Sequence, residues 1–426
     1  MTRRDTQRRR FGPLASALLM LLVSMGGAVG AQEDSPMFFI EKITVEAPRL
    51  SPEIVLSESL LREGRTYTED DLREAVHRIN RLPFVLLAEF SLRKGSERGR
   101  FELVIQIYET RRWFFQVGGE WELNDPLGTD PFDPRVGGLL DDRIGDTTDE
   151  VRSLVGRRFA VGRRGLLFAS FGTEDGAFAV GYQRYNLWNR NILLSVSVGG
   201  EDEFGDVIFS GDTLAARVQL GIPIKGNHAL RLLAATRDSE VVSAQRFGLE
   251  VRETEAEVAW IFNSLDDPVL PREGTLYEVG LAWTDERDTQ FLLIGNTIRR
   301  FDFSEERTGV FGSAGRHFPL GQRQSISASL RGFLTDGPQN EVQEVEASLG
   351  HQVFLLRRLE LDKWRELRLE TQISAARQDF SIARSLEDVG FSDAIVESWK
   401  VRTGLTYRNG WGLFRLFLSY LDREVR

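Results

Sequence analysis

The chain contains no cysteine among its 426 residues. That removes disulfide frameworks, thiolate metal sites and thiol nucleophiles. It also lacks a surplus of base: 54 Lys and Arg stand against 64 Asp and Glu, a net charge of −10. A nucleic-acid footprint needs clustered cations to neutralise phosphates, so nucleic acid is not expected as a partner. Histidine is scarce. His77, His228, His317 and His351 are scattered, with no HExxH pair, no Gly-x-Ser-x-Gly elbow and no glycine-rich phosphate loop. No catalytic residue, metal or cofactor is expected from these patterns, although a wall Ser and His need only meet in space. Prolines number only 13, against 40 glycines and 28 phenylalanines, a balance that suits tightly turned β structure.

The amino terminus reads as an address. Arg3, Arg4, Arg8, Arg9 and Arg10 precede an uncharged run from Phe11 to Ala31, with small residues Ala28, Gly30 and Ala31 at its end. This is the pattern of a cleaved signal peptide, residues 1–31, and its apolar run is short for a retained anchor of ~20 residues. Five arginines and one aspartate leave with it, so the mature chain carries −14. No later stretch approaches a spanning helix.

Residues 37–110 have a mixed pattern. Phe39, Ile40, Ile43 and Val45 mark a strand ended by Pro48. Ser51-Pro52 opens a helix expected to run to Gly64. Thr68 caps a second helix in which Leu72, Val76 and Ile79 recur on one face, with Pro83 as its stop. Leu86, Ala88, Phe90 and Leu92 alternate as a strand, residues 95–99 turn, and Phe101, Leu103, Ile105 and Ile107 alternate on the return. The expected order is β-α-α-β-β: a small α/β domain with two helices on one face of a three-stranded sheet and a sheet edge left open.

From Trp113 the chain changes to two-residue alternation with frequent turns. Phe178, Val180 and Tyr182, then Leu194, Val196 and Val198, form apolar sets. So do Leu367, Leu369, Thr371 and Ile373, and later Phe414, Leu416, Leu418 and Tyr420. Their alternates are small, polar or charged, among them Arg368 and Glu370. A soluble sandwich would turn the apolar face inward and an outer-membrane barrel would turn it to lipid; alternation alone does not choose. The leader, the length and the polar alternate face favour the barrel. Residues 113–426, at about 20 per strand with its connection, allow roughly 16 strands. Asp125, Asp130, Asp133, Asp141, Asp142, Asp146 and Asp149 crowd one long connection. Their spacing is not that of a calcium loop, and a solvated surface loop is expected.

Several stations carry a family likeness. Ile43-Thr44-Val45, Gly64-Arg65-Thr66-Tyr67, Asp71 to Ala75 and Leu82-Pro83-Phe84 resemble a polypeptide-transport-associated (POTRA) domain. Tyr185 to Arg190, Asn263 to Gly274, and Phe318-Pro319-Leu320-Gly321 leading to Leu330-Arg331-Gly332-Phe333 resemble the barrel of the bacterial surface antigen superfamily, the BamA/TamA-like outer-membrane assembly and translocation proteins. The resemblance implies a mostly β fold: one periplasmic POTRA domain (37–110) and a transmembrane barrel (113–426), similar to the carboxy-terminal half of patatin-linked members. It implies that Arg331, Gly332 and Phe333 form the tip of a long loop folded into the lumen, with Arg331 paired to Glu370 on the inner wall. The plainer alternative is that Arg331 ends one strand of an ordinary hairpin. Asp266, Asp267, Pro268, Pro271 and Gly274 make the most specific station, and as residues they read as a turn between two strands.

The resulting expectation is an assembly or translocation barrel in a Gram-negative outer membrane. Its partners would be outer-membrane lipid, unfolded client proteins bound at the open sheet edge, and periplasmic chaperones. A passive channel and, less favoured, a barrel-borne hydrolase are the alternatives. The last strand, Trp411 to Leu421, is expected to leave Asp422 to Arg426 as a periplasmic tail.

Overall fold

The structure is a computed structural model that describes residues 36–82, 84–122, 151–172, 177–202, 209–243, 247–267, 270–294, 297–337, 340–358, 365–382 and 394–425. The leader, the seven aspartates of the long connection, Pro83 and Pro268 lie outside the described residues.

The amino-terminal domain runs β1 (Met37–Glu46), α1 (Pro52–Ser59), β2 (Arg65–Thr68), α2 (Glu69–Asn80), β3 (Val85–Lys94) and β4 (Arg100–Glu109). The side chain of Ser51 accepts the Glu53 N–H at 3.3 Å, and Pro52 takes the first turn. α1 stops sooner than its sequence suggests, because Leu60 adopts a left-handed φ of 61°. Thr68 and Asp71 form a reciprocal capping box on α2, which buries Leu72, Ala75 and Ile79. The sheet order is β2-β1-β4-β3, with β1 parallel to β4. It has four strands rather than three: Arg65–Thr68 pairs antiparallel with Met37–Ile40, and a four-residue strand is too short for alternation to show.

Fifteen strands then close a barrel: β5 (Trp113–Glu122), β6 (Val151–Val161), β7 (Gly165–Gly172), β8 (Phe178–Leu187), β9 (Ile192–Asp202), β10 (Phe209–Lys225), β11 (His228–Ser243), β12 (Phe247–Asn263), β13 (Gly274–Ile294), β14 (Thr297–Pro319), β15 (Gln324–Asp336), β16 (Asn340–Arg358), β17 (Arg365–Ile382), β18 (Ala394–Asn409) and β19 (Gly412–Val425). Closure satisfies the backbone groups that an open edge would expose, the condition for crossing lipid with strands. The apolar alternates point outward. Leu349 and Ile373 are 63% and 54% exposed, and Val180, Val198, Leu416 and Leu418 stand on the same outer face. Their neighbours Arg331, Glu346, Arg368 and Glu370 line the lumen. Aromatic pairs bound this belt on β18 and β19: Tyr407 with Phe414 at 6.0 Å on the side of the small domain, Trp399 with Tyr420 at 5.3 Å on the other. Eight residues separate Trp399 from Tyr407; at ~3.4 Å per residue and a tilt of ~40° the belt is roughly 21 Å high, close to the ~25 Å apolar band of outer-membrane barrels.

The odd count has a consequence. All strand pairs in the barrel are antiparallel except the closing one, where β19 runs parallel to β5 from Gly412↔Phe115 to Ser419↔Glu122. Gly412 is needed at this seam, because a Cβ there would run into the Phe115 carbonyl oxygen. The parallel closure also puts Val425 on the rim away from the small domain. Asp422 to Val425 are not a tail: they extend β19, because the antiparallel register with β18 continues through Trp399 to Val396.

The small domain does not hang free. Leu166 of β7 and Tyr185 of β8 belong to the same buried cluster as Ile40, Ile54, Leu72 and Phe84, and Leu193 packs against it. One apolar core therefore runs from the domain into the barrel wall.

Candidate functional site: the capped mouth of the barrel

The barrel mouth that faces the small domain is covered from two directions. With 15 strands spaced ~4.8 Å apart and tilted ~40°, the barrel is about 94 Å around and about 30 Å across. A rim connection must leave the wall to touch strands that are not its neighbours.

The connection from β12 to β13, Ser264 to Glu273, does so. Its base is folded by its own carboxylates. Asp266 Oδ1 accepts the backbone N–H groups of Asp267, Arg272 and Glu273 at 3.0, 2.9 and 3.1 Å, and Asp267 Oδ1 accepts that of Leu270 at 3.0 Å. Gly274 closes the base at φ +109°, where a Cβ would meet the Ser264 carbonyl. The tip then reaches β17, four strands past β13. Arg368 Nη2 donates to the Leu270 carbonyl at 2.5 Å and Nη1 to the Pro271 carbonyl at 3.4 Å and Gln352 Oε1 at 2.9 Å, while Nε pairs with Glu366. Arg368 and Glu366 are each 2% exposed. One strand further on, Arg408 of β18 pairs with Asp267 Oδ2 and reaches the Val85 carbonyl of the small domain at 3.4 Å. The segment read from sequence as a turn is a strap across the mouth.

The small domain closes the rest. Arg81, just past α2, donates to the Asn263 carbonyl and to Asn227 Oδ1 at 3.3 Å. Arg164 Nε bonds Glu53 Oε2 at 2.7 Å, and Ser57 Oγ meets Asn191 Oδ1 at 3.5 Å. Arg158 Nη2 donates to the Thr110 and Arg111 carbonyls at 3.1 and 2.9 Å, with its guanidinium 4.8 Å over the Phe84 ring. The anchors fall on β6, β12, β18 and the turns after β6, β8 and β10, while the strap meets β17 on the remaining side.

A half-buried acid sits within this contact. Glu58 of α1 faces Arg78 and Arg81, with Tyr185 of β8 close by. Burial pushes its carboxyl above the ordinary 4.5, against the pull of the two guanidiniums. Burial also pushes Arg81 down to about 10, which leaves it cationic at neutral pH. An acid whose folded pKa is raised disfavours the native state once the unfolded chain ionises, so its cost appears as pH rises above 4.5 and is absent below. Glu58→Gln is expected to strengthen docking at pH 8 and to change nothing at pH 4, read as protease resistance of the docked domain at the two pH values.

The expected Arg331–Glu370 lock is not formed. Arg331 lies within β15, not on a loop, and its side chain is 46% exposed. Its Nη2 pairs with Glu346 Oε2 at 3.1 Å, directly across from it on β16. Gly332 and Phe333 continue the same strand, opposite Val345 and Glu344. Glu370 stands on the lumenal wall of β17, two strands from Arg331, and its Oε1 is buried without a hydrogen-bond partner. The physical reason is that Gly321 opens a tight turn closed by the Leu320 N–H on the Gln324 carbonyl, and pairing resumes at once, so no slack remains for an inward loop. The residues that sequence reading missed, Arg368, Glu366, Arg408 and Arg81, gave one signal: Arg368 falls on the polar alternate face. Elsewhere the lumen is hydrophilic, with Arg231 bridging Glu257 at 3.1 Å and Glu278, and Arg307 paired with Glu286. His317 and His351 sit on β14 and β16, and His228 stacks between Trp260 and Phe262.

These features define a closed β-barrel with an apolar outer face, whose mouth is crossed by a small α/β domain and an internal strap. No protein-family model matches the sequence, and no curated protein matches it. Among solved structures, the chain is similar to BamA from Haemophilus ducreyi lacking POTRA domains 1–3 (10% identity, 91% of this chain and 85% of that one, TM-score 0.39). It is also similar to CdiB from Acinetobacter baumannii (10% identity, 88% and 68%, TM-score 0.42) and to the β domain of the Bordetella autotransporter BrkA (10% identity, 55% and 91%, TM-score 0.35).

Proposed function

We propose that this chain is an outer-membrane barrel that assists insertion or translocation of client proteins. Residues 1–31 act as a cleaved signal, 37–110 as a periplasmic POTRA-type domain, and 113–426 as the membrane-spanning barrel. The observation that carries this reading is the docked domain with a free edge: among the described residues β3 pairs only with β4, and its outer edge offers backbone groups to an extended client strand. A client held there lies beside the mouth, and burial of its own apolar surface supplies the driving force without a nucleotide. Periplasmic chaperones would deliver clients to this edge.

A photo-reactive side chain at Ser91, exposed on β3, is expected to capture unfolded outer-membrane proteins during their export. The same probe at Arg73, on the exposed face of α2, should not. Depletion of the protein should lower specific outer-membrane proteins in a quantitative proteome. Equal capture at both positions, or an unchanged proteome, would remove the client-binding role. The passive-channel reading is disfavoured by the contacts that the strap and the small domain make across the mouth.

A further inference from the structure

A cavity of about 240 Å³ lies where the outer wall of the barrel meets the small domain. Arg49 comes from the domain, Arg112 from the link into the barrel, and Arg157, Arg158 and Phe159 from β6. The only acid in its lining is Glu109, and Glu109 Oε1 is already occupied by the backbone N–H groups of Arg49 and Leu50, both at 2.9 Å. Arg158 is spent on the Thr110 and Arg111 carbonyls, and Arg49 gives Nη1 to the Thr110 carbonyl at 3.0 Å, which leaves the other arm of its fork for a ligand. Among the described residues no ion pair is formed by Arg49, Arg112 or Arg157, and the Arg157 Nε is buried with no hydrogen-bond partner. Like charges gathered in a partly closed space repel one another and call for an anion.

The surroundings say which kind. The Arg157 guanidinium lies 5.0 Å over the Trp113 ring and 4.8 Å over Phe159, and that of Arg111 lies 3.8 Å over Trp411. Trp113, Phe159, Val161 and Trp411 are exposed large side chains, and Phe159 and Val161 are outer-face alternates of β6, at the level where aromatic residues meet lipid headgroups. A guanidinium fork matches a phosphate, and an apolar outer strand matches an acyl chain. We infer that this cavity binds the phosphate of a phospholipid headgroup, with Arg49, Arg112 and Arg157 on the phosphate and an acyl chain laid along Phe159 and Val161. Because Arg49 is on the domain and Arg157 on the wall, the bound lipid would bridge the two.

The test is native mass spectrometry of the full chain in detergent with added phosphatidylglycerol. One lipid per chain is expected to survive collisional activation. The double variant Arg112→Gln/Arg157→Gln should lower retention at least tenfold, and Arg49→Gln alone should also lower it. Heat-modifiable gel migration checks that each variant is a folded barrel, and if the double variant is not, Arg49→Gln decides. Millimolar inorganic phosphate should displace the lipid only weakly, since it lacks the acyl chains. Retention unchanged in the folded variants, or complete displacement by inorganic phosphate, would overturn the lipid site.

Discussion

Arg368→Ala is expected to lower the temperature at which the folded barrel unfolds in detergent and to open the lumen. The guanidinium is nearly inaccessible to solvent and holds four groups at once: Glu366, Gln352 and the carbonyls of Leu270 and Pro271. Removing one partner of a buried ion pair costs ~3–5 kcal/mol, because the other charge stays buried. Glu366→Ala should cost a similar amount, leaving Arg368 unneutralised. The double variant should be no worse than the poorer single one, since the stranded charge is gone, giving a coupling of about 1–3 kcal/mol. Conductance separates the two roles of the arginine. Glu366→Ala keeps the hydrogen bonds to the strap and should stay closed; Arg368→Ala and the double variant lose them and should conduct. Lysine at Arg368 should not restore closure, because a single ammonium cannot reach two carbonyls, an amide and a carboxylate in one plane. Additive unfolding shifts in the cycle, with all three variants closed, would show that the strap does not depend on Arg368.

Gly274→Ala is the second large effect. The residue has φ +109°, outside the range that L side chains adopt readily, and the added Cβ would overlap the Ser264 backbone at the base of the strap. The base cannot yield locally, since Ser264 and Thr275 are tied by two bonds of 2.8 and 2.9 Å and Asp266 fixes three backbone N–H groups beyond them. Backbone strain of this kind costs ~1–3 kcal/mol before any overlap is counted. Gly274→Ala should therefore raise conductance and protease access to the strap, with the barrel still closing through its fifteen strands. An alanine variant with wild-type conductance and protease resistance would remove the strained base from the mechanism.

Much of the fold is legible in the residues because its causes are local. Two-residue alternation identifies the wall strands and their lipid face, since burial of one face sets the register. Ser51-Pro52 and Thr68 place two helix starts within a residue. The strand count is less legible: about 16 follows from mean spacing, whereas β13 and β14 reach 21 and 23 residues, and one strand more or fewer reverses the closing pair. The site is the least legible part. The sequence reading brings Arg331 to Phe333 to Glu370 and takes Asp266 to Gly274 as a turn, and neither reading anticipates the contact that forms. The wall of β17 supplies a cation, Arg368, rather than the carboxylate Glu370, and the segment that comes to it is Ser264 to Glu273 rather than Arg331 to Phe333. Which loop meets which wall depends on closure of the whole barrel, a contact between residues 97 and 98 positions apart, and no local pattern encodes it.

The covered mouth is tested most directly by recording the full chain, reconstituted in a planar bilayer, at neutral pH. A closed baseline with only brief openings is expected, because the strap is pinned to β17 and β18 and the small domain to β12 across a mouth about 30 Å wide. A steady, porin-like open state in the unmodified chain would contradict it.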